Sequence, residues 1–279
     1  MRGSPMKVAL IQMNSQGDKA RNLAQARALI EQAVAEERPD FVSLPEMWTF
    51  LGDDDAAKRA SAEPVPGGEV YGLLQELAAR HRIVLHGGSI IERDGGERDG
   101  AAIYNTTVAF DRDGRELARY RKLHLFDITT PDGREFRESA TFSRGARVVT
   151  YDALGTRIGC SICYDLRFPE LYLQLARAGA KVILVPSNFT LQTGKDHWEV
   201  LLRARAIETQ TYVLAPAQWG RYGAGKYSYG HTLIADPWGH VIARAQDRVG
   251  YIAARLDLEE VERVRARMPC AEHRRSPRF

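Results

Sequence analysis

Short apolar stretches of strand length alternate with segments of helical periodicity along nearly the whole chain. The stretch 7–13 alternates between apolar and polar residues, whereas 19–37 carries an apolar helical stripe that runs from Leu23 to Val34. The same patterns predict strands at 41–45, 83–91, 148–154, 157–163, 181–187, 211–217, 231–237, 240–246 and 250–256, and helices at 68–81, 169–179, 197–210 and 258–268. A chain patterned in this way is predicted to fold as layers of sheets and helices, the α/β class.

Hairpins interrupt this alternation, so the sheets are predicted to be mixed rather than wholly parallel. The clearest hairpin joins 105–111 to 116–126 through the turn 112–114. Two mixed sheets with helices outside them correspond to a four-layer αββα sandwich. No Pro-, Gly- or Ser-rich linker divides the 279 residues, so we predict a single domain over 6–279. Residues 1–5, MRGSP, are interpreted as an expression scar or a mis-assigned start, with Met6 as the native start.

Composition excludes several classes of function. A net charge of +3 is small for this length and argues against a nucleic-acid binder, so the basic run 273–278 is interpreted as a solvated terminus. No stretch approaches the roughly 18 apolar residues that span a bilayer, which argues against a membrane protein. Three cysteines do not make a disulfide scaffold, and we therefore predict a location in the reducing cytoplasm.

Two of these cysteines, Cys160 and Cys163, lie three residues apart near the end of a predicted strand. Because side chains alternate along a strand, the two sulfurs are predicted to point to opposite faces, which disfavours a disulfide between them. A zinc site completed by Cys270 and His273 would need all four ligands to converge, which opposed cysteines cannot do. We therefore interpret Cys160 as a core residue and Cys163 as a side chain held at a strand end, where a nucleophile can be presented.

A cysteine nucleophile also needs a base and groups that bind the oxyanion. Glu46 closes the strand 41–45 and Lys122 follows the strand-like ELARYR, so each places a charge in an apolar context where a lone charge is unfavourable. Taken singly, each residue also has a structural explanation, Glu46 as a helix cap and Lys122 as a surface lysine.

Together, three stretches resemble the signature motifs of the nitrilase superfamily of carbon–nitrogen hydrolases. They are LPEMW around Glu46, YRKLHLF around Lys122 and GCSICYDLRFPE around Cys163, in the order that the family has them. The resemblance implies that these residues form a Glu-Lys-Cys catalytic triad on an αββα sandwich. It also implies a homodimer, and an enzyme that needs no metal or organic cofactor.

The resemblance further implies how the triad works. The Lys122 ammonium should favour the thiolate of Cys163, Glu46 should transfer protons, and a thioester should form and be hydrolysed. Lys122 and the backbone N–H of Tyr164 should bind the oxyanion. The family's second glutamate maps onto Glu138, with the role of positioning Lys122. The alternative for Glu138 is a surface glutamate paired with a neighbouring arginine.

Other segments resemble one branch of the superfamily, which holds the amidases of deaminated glutathione and the omega-amidases. They are LQTGKDHWEVLLRARAIETQ, SYGHT, DPWG and HRR. This implies a small carboxylate-bearing amide as substrate, hydrolysed to an acid and ammonia. Tyr164-Asp165 stands where nitrilases commonly have Trp-Glu, which favours amides over nitriles. The loop ITTPDGREF departs from the branch pattern and leaves the substrate open. Alternatives are a nitrilase, an N-carbamoyl amino acid amidohydrolase, or a non-catalytic interaction protein on the same scaffold.

Four further residues are candidates for substrate binding. Arg167 has the fork geometry to clamp a carboxylate, or else makes a salt bridge to a neighbouring acidic residue. Asn188 ends a predicted strand, and His197 and Tyr229 lie in the branch segments; each also has a structural alternative. The stretch 220–226, GRYGAGK, matches the start of a phosphate-binding loop, but a tyrosine replaces the required Ser or Thr and a strand is predicted to follow. We interpret it as a flexible loop near the pocket.

Overall fold

Two mixed β-sheets form the middle of the molecule. The computed structural model describes residues 5–52, 54–95, 101–130 and 133–275, so residues 1–4 of the predicted N-terminal scar lie outside it. The strands of the first sheet are β1 (Met6–Gln12), β2 (Phe41–Ser43), β3 (Glu63–Pro64), β4 (Val84–His86), β5 (Ile90–Arg93), β6 (Ile103–Phe110), β7 (Glu116–Arg121) and β18 (Gly250–Leu256). Those of the second sheet are β10 (Thr150–Ala153), β11 (Thr156–Cys160), β12 (Val182–Leu184), β13 (Tyr212–Ala215), β16 (Leu233–Ala235) and β17 (Val241–Arg244).

Helices and two separate hairpins complete the described chain. The hairpins are β8 (Asp127–Thr129) with β9 (Glu135–Arg137), and β14 (Trp219–Tyr222) with β15 (Lys226–Tyr229). The helices are α1 (Lys19–Glu37), α2 (Asp55–Ala60), α3 (Gly68–His81), α4 (Pro169–Arg177), α5 (Leu191–Thr209), α6 (Leu258–Arg267) and α7 (Cys270–His273), and the 3₁₀ helices are Glu138–Ala140 and Cys163–Arg167. None of the helices within these ranges is long and apolar enough to cross a membrane.

The strand order explains why both sheets are mixed. The first sheet runs β18-β1-β2-β4-β6-β5-β3, with β7 paired to β6, and the second runs β10-β11-β12-β13-β16-β17. In each sheet three adjacent strands are parallel, β1-β2-β4 and β11-β12-β13, and their outer neighbours are antiparallel. Helices α1 and α3 contact the first sheet, and α4 and α5 the second. The predicted αββα sandwich is therefore confirmed.

The alternation of side chains along β1 divides the core. Val8 and Leu10 pack in the cluster that includes the second sheet, whereas Ala9 and Ile11 pack in the cluster that includes Ile30 of α1. Both faces of the first sheet are thus buried, which fits the run of apolar residues in its central strands.

Several predicted boundaries differ from the observed ones. The strand predicted at 83–91 is divided into β4 and β5 by Gly87, Gly88 and Ser89. The strand predicted to reach residue 163 ends at Cys160, because the chain then turns into a 3₁₀ helix. Helix α5 begins at Leu191 rather than at residue 197. The predicted flexible loop at 220–226 forms most of the β14–β15 hairpin.

The segment between β4 and β5 holds the turn that follows β2. The backbone oxygen of Gly87 accepts a hydrogen bond from Trp48 Nε1 at 2.7 Å, and Oγ of Ser89 accepts one from the backbone N–H of Met47 at 3.0 Å. Gly88 has a φ of +62°, and a Cβ added there would lie 2.1 Å from the backbone oxygen of Pro45. Only glycine allows the two turns to approach this closely.

We therefore expect Gly88→Ala to lower the free energy of unfolding by roughly 2–5 kcal/mol, the sum of left-handed strain and overpacking. Urea denaturation followed by circular dichroism measures the effect. Gly155→Ala is the matched control, because Gly155 also has a positive φ, +72°, but has no atom within 4 Å of an added Cβ. It should cost only about 1–2 kcal/mol. Equal losses in the two variants would show that the contact with Pro45 does not constrain the fold.

Candidate active site

Glu46 lies in the turn after β2 and is 4% exposed. Its backbone oxygen accepts a hydrogen bond from Nε2 of Gln218 at 3.0 Å, and the same amide group donates to Oγ of Ser15 at 2.9 Å. Its Oε2 accepts the backbone N–H of Asn188 at 2.8 Å. Because Asn188 and Gln218 follow strands of the second sheet, the position of this carboxylate depends on both sheets.

Lys122 follows β7, and its side chain is 2% exposed. Its ammonium donates to Oε1 of Glu46 at 2.9 Å, and to Oε1 and Oε2 of Glu138 at 3.1 and 2.9 Å. Burial acts to lower the pKa of this amine, but the charges of Glu138 and Glu46, together with Cys163, outweigh burial and raise the pKa of Lys122 well above its ordinary value. Lys122 is therefore a cation throughout the neutral pH range.

Glu138 begins the 3₁₀ helix Glu138–Ala140, and its carboxylate is held by hydrogen bonds from several directions. Its Oε2 accepts the backbone N–H of Phe126 at 2.6 Å, and its Oε1 accepts Nδ2 of Asn105 at 3.1 Å. The same Nδ2 donates to Oε1 of Glu46 at 3.0 Å, so Asn105 links the two carboxylates. Our sequence interpretation missed Asn105. The available signal was an amide in a strand that is predicted to be part of the sheet, where a buried polar group needs a partner.

Cys163 is the first residue of the 3₁₀ helix Cys163–Arg167 and has a φ of +48°, which is uncommon for a residue with a side chain. Its backbone N–H donates to the oxygen of Pro186 at 3.0 Å. Burial and the carboxylate of Glu46 raise the pKa of the thiol well above its ordinary value, and the opposing effect of Lys122 is smaller. The Lys122 ammonium therefore acts in the expected direction, toward the thiolate, but burial and the Glu46 carboxylate outweigh it.

A fully buried aspartate holds the turn that presents Cys163. Oδ2 of Asp165 accepts hydrogen bonds from the hydroxyl group of Tyr120 at 2.6 Å and from the backbone N–H of Ile162 at 2.9 Å. Its Oδ1 accepts the backbone N–H of His124 at 3.0 Å and lies 2.7 Å from Nδ1 of the same residue. At the level of sequence, Asp165 enters only the comparison with nitrilases, and no contacts are predicted for it. Its observed role is to join the loop after β7 to the residues on either side of the cysteine.

One cavity of 440 Å³ brings the predicted residues together. Glu46, Lys122, Glu138 and Cys163 all line it, and so does Asn188. Aromatic rings and charges of both signs complete much of its wall: Asp55, Lys58, Phe126, Glu135, Phe136, Arg137, Phe142, Tyr222 and Lys226. A cavity of this size and mixed character fits a small polar molecule.

The other substrate-binding candidates lie away from this cavity. Of the four, Asn188 alone is among the described lining residues. Arg167 is turned toward α5, where its Nη1 lies 3.2 Å from Nδ1 of His197, and His197 is itself on the exposed face of that helix. The ring of Tyr229 packs against the imidazole of His231, with centroids 4.3 Å apart. Arg167, His197 and Tyr229 are thus not among the described residues that line the cavity beside Cys163.

Tyr164 follows Cys163 in the first turn of the 3₁₀ helix, where backbone N–H groups lack acceptors within the helix. Its ring is held edge-on between those of Phe126 and Phe168, at 5.1 and 5.3 Å. Within the part of the chain that the structure describes, no group of three His, Cys, Asp or Glu residues is arranged to hold a metal ion.

Comparison with known proteins identifies the family of this chain. The family model for carbon-nitrogen hydrolases matches residues 7–266. A deaminated glutathione amidase of Synechocystis sp. is 41% identical over 273 residues, which cover 97% of this chain and 98% of that protein. Omega-amidase NIT3 of Saccharomyces cerevisiae is 38% identical over 275 residues, covering 97% and 93%. The crystal structure of S. cerevisiae Nit3, a member of branch 10 of the nitrilase superfamily, matches with a TM-score of 0.87 at 34% identity, covering 98% of this chain and 97% of that one. The predicted family is thereby confirmed, and the chain belongs to the carbon–nitrogen hydrolases.

Proposed function

We propose that the protein is an amidase in which Cys163 attacks the carbonyl carbon of a small amide and forms an acyl thioester. The observation that carries this proposal is the 2.9 Å contact between Nζ of Lys122 and Oε1 of Glu46, in the cavity that Cys163 also lines. A base, a cation and a sulfur from three distant segments therefore surround one space of substrate size. We further propose that residues 6–279 form one domain, because both sheets contribute to one core cluster.

The raised pKa of Cys163 determines the order of proton transfers. Burial and the Glu46 carboxylate favour the neutral thiol at Cys163, so in the proposed mechanism its proton leaves as the sulfur attacks. Glu46 accepts this proton while the carbonyl π electrons move to oxygen. Glu46 then returns the proton to the amide nitrogen, the C–N bond breaks and the amine departs. Water, deprotonated by Glu46, attacks the thioester and releases the acid with the thiol restored. Each such acid–base role contributes typically ~10²–10⁴-fold.

The negative charge on the carbonyl oxygen needs fixed donors. We propose Lys122 and the backbone N–H of Tyr164 for this role, and such donors contribute typically ~10²–10³-fold each. Glu138 acts through Lys122, since its carboxylate orients the ammonium and helps keep it protonated. Glu138 is therefore proposed as a positioning residue.

The names of the relatives suggest the substrate class. Deaminated glutathione and 2-oxoglutaramate carry the same 2-oxoglutaryl group on different amines, cysteinylglycine and ammonia. Ammonia is thus the product only from the primary amide, and a dipeptide is the product from deaminated glutathione. Lys58 and Arg137 line the cavity and are candidates for binding the acyl carboxylate in place of Arg167.

We also propose that the protein is a homodimer in the cytoplasm. The outer face of α5 exposes Val200 and Ile207, at 67% and 44%, and Trp238 lies beside them because Gly239 packs directly against Ile207. We propose that these exposed apolar side chains form part of an interaction surface. Three free cysteines support a reducing compartment.

We expect Cys163→Ala to abolish hydrolysis of 2-oxoglutaramate and deaminated glutathione, with a loss of at least ~10³-fold, because no other group supplies the nucleophile. The assay measures 2-oxoglutarate, which both substrates release. Cys270→Ala, at a partly exposed cysteine on α7, should keep wild-type activity. Release of 2-oxoglutarate by a well-folded Cys163→Ala variant at more than a tenth of the wild-type rate would refute the mechanism. Nitrile and N-carbamoyl analogues assayed in parallel test the alternative acyl donors.

Replacement of Glu46 by Gln should lower the pKa of Cys163, because the carboxylate raises it while Lys122 lowers it. The titration of the thiol is measured by thiolate absorbance at 240 nm as the pH is raised. The absorbance of the same protein with Cys163→Ala is subtracted. The thiolate should form at lower pH in Glu46→Gln than in the wild type, although turnover falls by about 10²–10⁴-fold. Glu135→Gln, on the same cavity wall, is the control and should shift the titration little. A thiol pKa that rises in Glu46→Gln would contradict the assigned electrostatics.

If α5 forms the dimer contact, Val200→Glu should shift the protein toward the monomer, because a charge would be buried against apolar groups. Sedimentation velocity at several concentrations measures the shift. Arg115→Gln changes the charge by the same amount at an exposed hairpin turn of the first sheet and should leave the state unchanged. A Val200→Glu protein that remains dimeric would exclude this face as the interface.

A further inference from the structure

Arg205 is a charged residue of α5 that is only 6% exposed and takes no part in the proposed proton transfers. Its Nε donates a hydrogen bond to the backbone oxygen of Leu166 at 2.9 Å. Leu166 is fully buried and lies near the end of the 3₁₀ helix Cys163–Arg167. Carbonyl groups at the end of a helix have no donors within it, and a buried one without a partner is unfavourable. Arg205 therefore supplies the donor that this helix end needs.

A carboxylate on the same helix compensates the buried charge of Arg205. Its Nη1 donates to Oε1 of Glu208 at 2.9 Å, three residues later in α5. Because the guanidinium is a rigid planar fork, this ion pair also fixes the direction of Nε. The charge of Arg205 is thus paired, and its Nε is directed at the backbone of the helix that begins with Cys163.

The same guanidinium lies against the ring of Tyr172 in α4, with Cζ 5.4 Å from the ring centroid. The Tyr172 hydroxyl lies 2.8 Å from Oγ of Ser161, and that Oγ donates to the backbone oxygen of Leu184 at 2.7 Å. Because a serine hydroxyl has one hydrogen to donate, Tyr172 is the donor to Ser161. Arg205 therefore contacts the chain directly three residues after Cys163 and, through Tyr172, two residues before it.

The backbone of Cys163 explains why this turn needs contacts on both sides. Its φ of +48° is unfavourable for a residue with a side chain, and such a conformation persists only where the surrounding contacts fix it. Asp165 fixes the turn from the loop after β7, through its hydrogen bonds to Tyr120 and His124. Arg205 and Tyr172 add contacts from α5 and α4, the helices that cover the second sheet.

We propose that Arg205 is a positioning residue for the nucleophile. Its hydrogen bond to Leu166 sets the direction of the 3₁₀ helix, and with it the directions of the Cys163 sulfur and the Tyr164 backbone N–H toward the bound carbonyl group. Arg205 lies outside the described lining of the catalytic cavity, so it acts through the turn rather than on the substrate. The inference rests on the proposed amidase function and adds a residue to its machinery.

Replacement of Arg205 by Met should lower kcat/KM for 2-oxoglutaramate by about 10- to 100-fold, because a small displacement of reacting groups has an effect of that size. Binding of the same amide to the Cys163→Ala protein, measured by calorimetry, should change by less than about threefold when Arg205→Met is added, because Arg205 does not line the cavity. A residue needed only for stability would not separate turnover from affinity in this way. Arg205→Lys, which keeps the charge and a donor, should recover part of the lost kcat/KM. Circular dichroism establishes that each variant is folded.

Arg203→Met is the matched control, because Arg203 makes the same kinds of contact from the same helix. Its Nε donates to the backbone oxygen of Gly239 at 2.7 Å, and its Nη1 lies 3.7 Å from Oε1 of Glu199. Gly239 belongs to the turn between β16 and β17, outside the described lining of the catalytic cavity. Arg203→Met should keep kcat/KM within about twofold of the wild type. Equal losses in the two variants, or wild-type kcat/KM in a folded Arg205→Met protein, would overturn the assignment.

Hydrogen exchange separates this inference from the proposed function, because it needs no substrate. Backbone N–H groups in peptides that cover residues 162–168 should exchange about tenfold faster or more in Arg205→Met than in the wild type, and at the wild-type rate in Arg203→Met. If the wild type hydrolyses no amide, the proposed function fails, and the exchange rates still decide whether Arg205 holds the turn. Unchanged exchange at 162–168 in a folded Arg205→Met protein rejects the inference.

Discussion

The site depends on one buried ammonium, that of Lys122, held between two carboxylates. An isolated charge in this environment is unfavourable by several kcal/mol, so the ammonium can be buried only when Glu46 and Glu138 are both in place. Two carboxylates around one cation leave an excess negative charge. Donors from Asn105 and from the backbone N–H groups of Phe126 and Asn188 stabilise that charge. The electrostatics of the cavity therefore require both sheets and the loop after β7 to be folded.

This charge arrangement also explains why a buried thiol is compatible with nucleophilic chemistry. A thiolate at Cys163 would add a third negative group to the cluster, and burial together with the Glu46 carboxylate opposes this by raising the thiol pKa. The proton leaves only when a carbonyl oxygen can take the developing charge beside Lys122. In the proposed mechanism, activation is thereby coupled to the presence of substrate, and the resting cysteine is kept from unproductive reactions such as oxidation.

Local sequence patterns predicted the elements that carry strong periodicity. The bounds of α1 and α3, Lys19–Glu37 and Gly68–His81, agree with their apolar stripes. The β14–β15 hairpin was not predicted, because its glycines and polar residues hide the alternation of apolar and polar side chains that marks a strand. These two strands pair with each other. The end of β11 was placed too late, since the positive φ of Cys163 has no sequence signal.

The triad residues came from motif resemblance. Asn105 and Asp165 were missed because their partners, Glu46 and Tyr120, are 59 and 45 residues away in the chain.

The two-residue spacing in β15 constrains how this enzyme can diverge. Ser228 donates a hydrogen bond to Asn188, which lines the catalytic cavity, and Lys226 on the same strand face lines that cavity as well. Insertion or deletion of a single residue between them would rotate one of the two side chains to the opposite face, whereas a change of two residues would preserve the alternation. In descendants of this sequence, length variation in β15 is therefore constrained to even steps. Insertions or deletions of an odd number of residues are confined to the glycine-containing turn at 223–225, where they would move Lys226 without disturbing Asn188.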